Sequence, residues 1–189
     1  LAAESARPHF SVIDRCDSVV IDPHKWLFAP YDCCALLYRQ PEVARLAHTQ
    51  HASYLDPINS SSEWNPTDFG HFLTRRARGL PFWFSLAVHG TKAYSEAVER
   101  TLEVTRAGAE LVAAAPHLDL VLDPVLSVLA FKRIGWEQMD YDAWSAQLME
   151  EGTAFVLPTQ VDGEPALRIC IVNPRTTVDD IAVVLDSLA

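Results

Sequence analysis

Apolar and polar positions follow three different rhythms along the chain. Cys16 to Ile21 (CDSVVI) is a short β-branched run that Asp22-Pro23 ends, because proline lacks an amide donor and fixes its own φ. Tyr31 to Tyr38 (YDCCALLY) is a second apolar run of strand length, and Gln40-Pro41 then opens a short helix to about Ala47. Lys25 thereby falls between two predicted strands. From His48 to about Gly70 the chain is rich in His, Ser, Asn, Pro and Asp and follows neither hydrophobic period, which predicts a long loop of the kind used as a functional lid. Helical spacing begins at Phe82 and runs to Ala115 through Phe84, Val88, Tyr94, Val98, Leu102 and Leu111, with a break or kink at Gly90.

The remainder alternates between the two periods. Strands are predicted at Leu118–Leu122, Leu126–Lys132, Ala154–Leu157 and Leu167–Val172, and helices at Tyr141–Glu151 and from about Val178. Thr177 suits the N-cap of the last helix, with Asp179 and Asp180 favourable at its positive end. The element order predicts a compact α+β module without internal repeats.

Composition narrows the function classes. The 189 residues are 49% hydrophobic and 21% charged, an ordinary globular balance that excludes disorder for the bulk of the chain. The longest strongly apolar stretch, Leu80 to Val88, is too short for a bilayer and contains a proline, so no membrane span and a soluble protein are expected. Fifteen Lys+Arg against 25 Asp+Glu give a net charge of -10, which repels a polyphosphate backbone and argues against a nucleic-acid partner. The one dense basic cluster, Arg75-Arg76-Ala-Arg78, reads as a solvated or salt-bridged helix entrance, with a small-anion site as the alternative. Cysteines at 16, 33, 34 and 170 lack CxxC spacing, which disfavours zinc and disulfide frameworks and fits a reducing, cytoplasmic setting. The opening Leu-Ala-Ala-Glu carries no leader and is the expectation for a fragment.

Phosphate-loop, zincin and serine-hydrolase motifs are missing, and His48-Thr-Gln-His51 has no evident third ligand, so no metal is expected. The chemistry concentrates in Asp22-Pro23-His24-Lys25-Trp26. A lysine partly desolvated among apolar neighbours has its pKa lowered, and the neutral amine can then attack a carbonyl. A strand-end lysine that snorkels to water is the ordinary alternative.

The segment Ser18 to Arg39 (SVVIDPHKWLFAPYDCCALLYR) resembles the lysine signature of the group II pyridoxal phosphate-dependent amino acid decarboxylases, the family of aromatic-L-amino-acid, histidine and glutamate decarboxylases. Ser18 stands seven residues before Lys25, Trp26-Leu27 follow it, Tyr31 and Cys33 sit at the matching offsets, and Arg39 closes the pattern. Likeness continues through Arg75-Arg76-Ala-Arg78-Gly-Leu-Pro-Phe-Trp, Leu167-Arg168 and Asn173-Pro174-Arg175-Thr176-Thr177. The resemblance implies an α/β chain of fold-type I: residues 1–80 as the end of the large cofactor domain, 81–115 as a connecting helix, and 116–189 as a small C-terminal α+β domain. It implies pyridoxal 5'-phosphate bound to Lys25 as a Schiff base, with His24 contacting the cofactor and Asp22 beside it where animal aromatic decarboxylases resemble each other in having asparagine. Tyr54, 29 residues after Lys25 in the long polar segment, matches a mobile-loop tyrosine that protonates the carbon left by CO2.

The implied function is decarboxylation of an L-amino acid to its amine in a homodimer. The chain alone is expected to be inactive, because the family's ring-pairing aspartate and ring-stacking histidine precede the lysine segment. The rivals are another pyridoxal phosphate reaction on the same fold, either transamination or aldehyde-forming oxidative decarboxylation, and a non-catalytic dimerisation module.

Overall fold

The computed structural model describes residues 2–51, 53–55 and 64–189. The chain divides into two units, Ser11–Val88 and Leu1–Phe10 with His89–Ala189. Each has its own architecture.

In the first unit, strand β1 (Ser18–Ile21) pairs antiparallel with strand β2 (Ala35–Tyr38), in the register Ser18↔Tyr38 to Ile21↔Ala35. The apolar run assigns Tyr31 to Cys34 to the second strand, but they lie outside it, because their polar groups bind elsewhere: Asp32 to arginines and Cys33 to His24. Arg39 ties down the entry to β1, giving Nε to the Cys16 carbonyl at 3.1 Å. Helix α1 (Pro41–His48) starts with proline at its first turn, where the missing N–H costs nothing. A 3₁₀ turn, Pro66–Phe69, is capped by Asn65, whose side-chain oxygen accepts from the Thr67 amide at 3.2 Å. Asp68 in that turn is buried and receives Arg45 Nε from α1 at 3.2 Å.

Helix α2 (Gly79–Ala114) leaves helical geometry at Gly90, with φ 76° and ψ 159°. That φ strains any residue with a Cβ, so the glycine permits the kink expected there. The part after Gly90 carries the core stripe Tyr94, Val98, Leu102, Ala109 and Val112. At Gly108 a Cβ would stand 3.2 Å from Leu129 Cδ2 and 3.3 Å from Ile181 Cγ2, so glycine lets α2 approach its neighbours closely.

The second unit is built on a four-stranded antiparallel sheet of order β3-β4-β6-β5: β3 (Leu118–Leu120), β4 (Val128–Arg133), β5 (Pro158–Val161) and β6 (Glu164–Cys170). Helix α3 (Gln138–Glu150) carries the reciprocal capping box of Glu137 and Asp140, and helix α4 (Val178–Asp186) that of Thr177 and Asp180. Phe131, Leu129, Leu167, Tyr141, Trp144 and Ile181 are among the residues of one buried cluster.

The expected strand at Ala154–Leu157 is corrected: the ladder lies at Pro158–Val161. Asp162 and Gly163, both at positive φ (53° and 83°), make a two-residue turn that fixes Val161↔Glu164 and counts the pairing back to Pro158↔Leu167. Pro158 has no N–H to extend the ladder, and the Val156 carbonyl accepts Ser145 Oγ from α3 at 2.6 Å instead.

Candidate functional site

Between β1 and β2 the chain makes a turn closed by Lys25 N donating to Asp22 O and Ala29 N to Pro23 O, both at 3.0 Å. Pro23 is fully buried beneath it, whereas the Lys25 side chain is 67% exposed. Its amine lies 2.7 Å from Asp22 Oδ2. This overturns the expectation of a desolvated, more acidic lysine: the Asp22 carboxylate holds the Lys25 pKa above its ordinary value. In return Asp22 is lowered, chiefly by Lys25 and further by the Cys34 thiol. Burial raises the Cys34 thiol, with the Asp22 carboxylate adding to the effect.

His24 has partners of its own. Its Nδ1 is 2.5 Å from the Cys33 carbonyl oxygen, and its ring meets Tyr31 edge-to-face with centroids 5.1 Å apart. The Cys33 amide also points at Nδ1, at 3.3 Å, but the carbonyl contact is much the shorter of the two and a carbonyl only accepts, which favours the proton on Nδ1. Asp32, next in the chain, binds Arg76 Nη2 through Oδ1 at 3.2 Å and Arg78 Nε through Oδ2 at 2.9 Å. Arg78 first, then Arg76, holds its carboxyl below the usual range. The basic cluster is thus a salt-bridged helix entrance, as its composition suggests. Tyr31, Asp32, Arg76, Arg78, Pro30 and Pro81 line a cleft of about 130 Å³ there.

Lys25, His24 and Asp22 therefore stand together on one turn. Tyr54 lies on a separate 3₁₀ turn, Ser53–Leu55, with its ring 70% exposed, and no hydrogen bond or ring contact among the described residues joins it to Lys25. Trp64 stacks on Phe69 with centroids 6.0 Å apart. Sequence reasoning misses Asp32 and the Cys33 carbonyl. The signal for Asp32 is present, since it is the carboxylate flanked by apolar positions in YDCCALLY and the chain holds a compact arginine cluster.

The arrangement offers an accessible primary amine on a turn anchored at the neighbouring imidazole, an arrangement that suits covalent capture of an aldehyde. The family described as the pyridoxal-dependent decarboxylase conserved domain matches residues 1–134. The chain belongs to that family. It is 28% identical over 177 residues to an aromatic-L-amino-acid decarboxylase of Bacillus atrophaeus, covering 89% of this chain and 37% of the relative. It is 29% identical over 190 residues to an L-2,4-diaminobutyrate decarboxylase of Rhizobium meliloti (strain 1021), covering 96% and 38%. Among solved structures, Oryza sativa TDC with PLP and tryptamine superposes with a TM-score of 0.86 at 21% identity, over 98% of this chain and 40% of that one. This likeness shows the fold: the chain has the architecture of the C-terminal portion of a fold-type I decarboxylase. It spans little more than a third of the length of these two curated relatives.

Proposed function

We propose that this chain is the lysine-bearing portion of an enzyme that decarboxylates an L-amino acid to the corresponding amine, with Lys25 as the attachment point of pyridoxal 5'-phosphate. The observation that carries the reading is the exposed Lys25 amine on the β1–β2 turn, within the region that matches the decarboxylase family. In the same reading, residues 1–80 end the cofactor domain, 81–115 connect, and 116–189 form the small domain. The same reading takes the protein as a homodimer, and the apolar residues Val20, Leu36 and Leu37 of the two-stranded sheet as surface covered by the rest of the cofactor domain. The four free cysteines support a reducing, cytoplasmic setting.

The residues present fit the cofactor at its point of attachment, since the Lys25 amine is accessible and its ion-pair partner is a partly exposed carboxylate on the same turn. When bound, pyridoxal phosphate supplies the electron sink for the pair left behind by CO2. Asp22 orients the Lys25 Nζ and keeps its proton until the amine is called upon to react. His24, the residue before Lys25 in the chain, has its ring fixed through Nδ1. Tyr54 Oη is the proton donor to the substrate carbon in this reading, which requires its exposed ring to be shielded from water during turnover.

The test is to incubate the protein with pyridoxal phosphate, reduce with borohydride and map the adduct by peptide mass spectrometry. The chain has three lysines, at 25, 92 and 132, and selective labelling of Lys25 is expected. Equal labelling of all three would refute the assignment. For the protein that contains this chain, Tyr54→Phe is expected to divert product from amine to aldehyde, and an unchanged ratio would remove Tyr54 from the proton transfer.

A further inference from the structure

Asp32 stands between the two residues that touch the His24 ring. On one side Cys33 meets Nδ1 with its carbonyl at 2.5 Å and its amide at 3.3 Å, and on the other the Tyr31 ring meets the imidazole at 5.1 Å. Residues 30–34 lie outside any helix or strand, so no ladder fixes that carbonyl. Cys33 itself is buried, and next to it the Asp32 carboxylate has its two oxygens taken by two different guanidinium groups, Arg76 at 3.2 Å and Arg78 at 2.9 Å, from positions 44 and 46 residues further along.

We propose that Asp32, clamped by Arg76 and Arg78, is a positioning residue that sets the tautomer and the orientation of His24. Two separate donors on two carboxylate oxygens fix the plane of the side chain, which a single point charge would not do. With Asp32 held, the carbonyl of the next residue faces Nδ1, the neutral ring carries its proton there, and Nε2 is left as the acceptor. Without the clamp the 30–34 segment loses its long-range tie and the ring its fixed acceptor.

Stability is not the purpose of such a clamp. The side chains of Asp32, Arg78 and Arg76 are 32%, 39% and 80% exposed, and ion pairs in that range contribute little to folding. Removing it therefore leaves a folded chain in which the geometry of His24 can be read. The effect on chemistry at Lys25 rests on the reading of Lys25 as the cofactor's attachment point. The effect on the His24 ring does not.

The experiment uses the 15N-labelled 189-residue chain, with His24 assigned through His24→Gln and its tautomer read from the ring nitrogen shifts. The Nδ1–H form is expected to dominate in the parent chain. Asp32→Ala should lower the ratio of Nδ1–H to Nε2–H forms about tenfold, the scale of one lost hydrogen bond. Arg78→Gln should move it in the same direction by less, and Arg78→Lys, which keeps the charge and a donor, should retain most of the original ratio. An unchanged ratio in Asp32→Ala and Arg78→Gln overturns the proposal. If Asp32→Ala loses its amide dispersion, the two Arg78 variants decide: equal ratios in both and in the parent overturn it. Borohydride labelling of the parent separates the two readings, because a tautomer shift without selective labelling of Lys25 sustains the clamp and overturns the attachment site.

Discussion

The two units solve the problem of stability differently. In His89–Ala189 a single cluster running from Val104 to Leu188 fills the space between a four-stranded sheet and its helices. Among the described residues of Ser11–Val88 the buried apolar side chains are few and mostly small (Pro23, Ala29, Cys33, Ala44 and Leu55), while Val20, Leu36, Leu37, Trp83 and Phe84 stay exposed. Polar contacts fix the geometry there: the buried Asp68 takes Arg45, and Asp32 takes Arg76 and Arg78. The contrast teaches that the region bearing the candidate chemistry is shaped by directional polar contacts, and that its apolar surface is available to further structure.

The sharpest way to break this contrast is to remove one side chain from each unit. Phe131→Ala should cost about 3–5 kcal/mol, because a fully buried ring leaves a cavity, and denaturant unfolding followed by amide signals of residues 118–188 would measure it. Leu36→Ala, at a position 47% exposed, should cost under about 0.5 kcal/mol. A comparable loss at both would mean that β2 is buried in an assembly. Next in size, Arg45→Ala leaves the Asp68 carboxylate buried without its guanidinium, at about 1–3 kcal/mol, seen as faster hydrogen exchange in α1 and 66–69. Thr177→Ala should cost about 1 kcal/mol through the lost cap on α4, read as a small shift of the same unfolding curve.

Much of this division is legible in the amino-acid sequence. The helical stripe through Tyr94, Val98 and Leu102, the kink at Gly90 and the Thr177 cap follow from periodicity and from residue chemistry that local sequence determines. The apolar run at 154–157 misplaces a strand because such a run signals burial, not pairing. The register is set further along by Asp162-Gly163, a turn whose two positive φ values carry more information than the hydrophobicity of Phe155, itself 71% exposed. At the candidate site, the pentapeptide around Lys25 is visible as a motif. Its electrostatics are not, since apolar neighbours in sequence suggest desolvation and the decisive neighbour in space is Asp22.

The smallest effects lie in the titrations. Lys25 is raised, so its ion pair is fully present below the unfolded lysine value of 10.5 and is lost as pH rises through the higher folded value. Asp22 is lowered, so its share is present above the unfolded value of 3.8 and is lost as pH falls through the lower folded value. Asp22→Asn should therefore bring the onset of aldehyde labelling at Lys25 to lower pH while Lys92 and Lys132 keep theirs, and an unmoved onset would take Asp22 out of the control of the amine. In the other unit Asp180 is lowered by the Thr177 amide and hydroxyl, so its half of the α4 capping box is present above 3.8 and is lost as pH falls through the lower folded value, and the amide signals of 178–186 should broaden there first.

The Asp162-Gly163 turn also has a temporal meaning. Strand β6 meets one neighbour, β5, across two residues, and the other, β4, only after α3 and the connecting chain have been enclosed. A hairpin of that kind closes in about 1–10 μs, whereas the β4–β6 pairing must first overcome the entropy of a long loop. Local closure of this hairpin thus favours assembly of the sheet from its C-terminal edge inward, and a residue that disfavours positive φ at position 163 is expected to slow folding more than it speeds unfolding, which a chevron plot of a Gly163→Val variant would read.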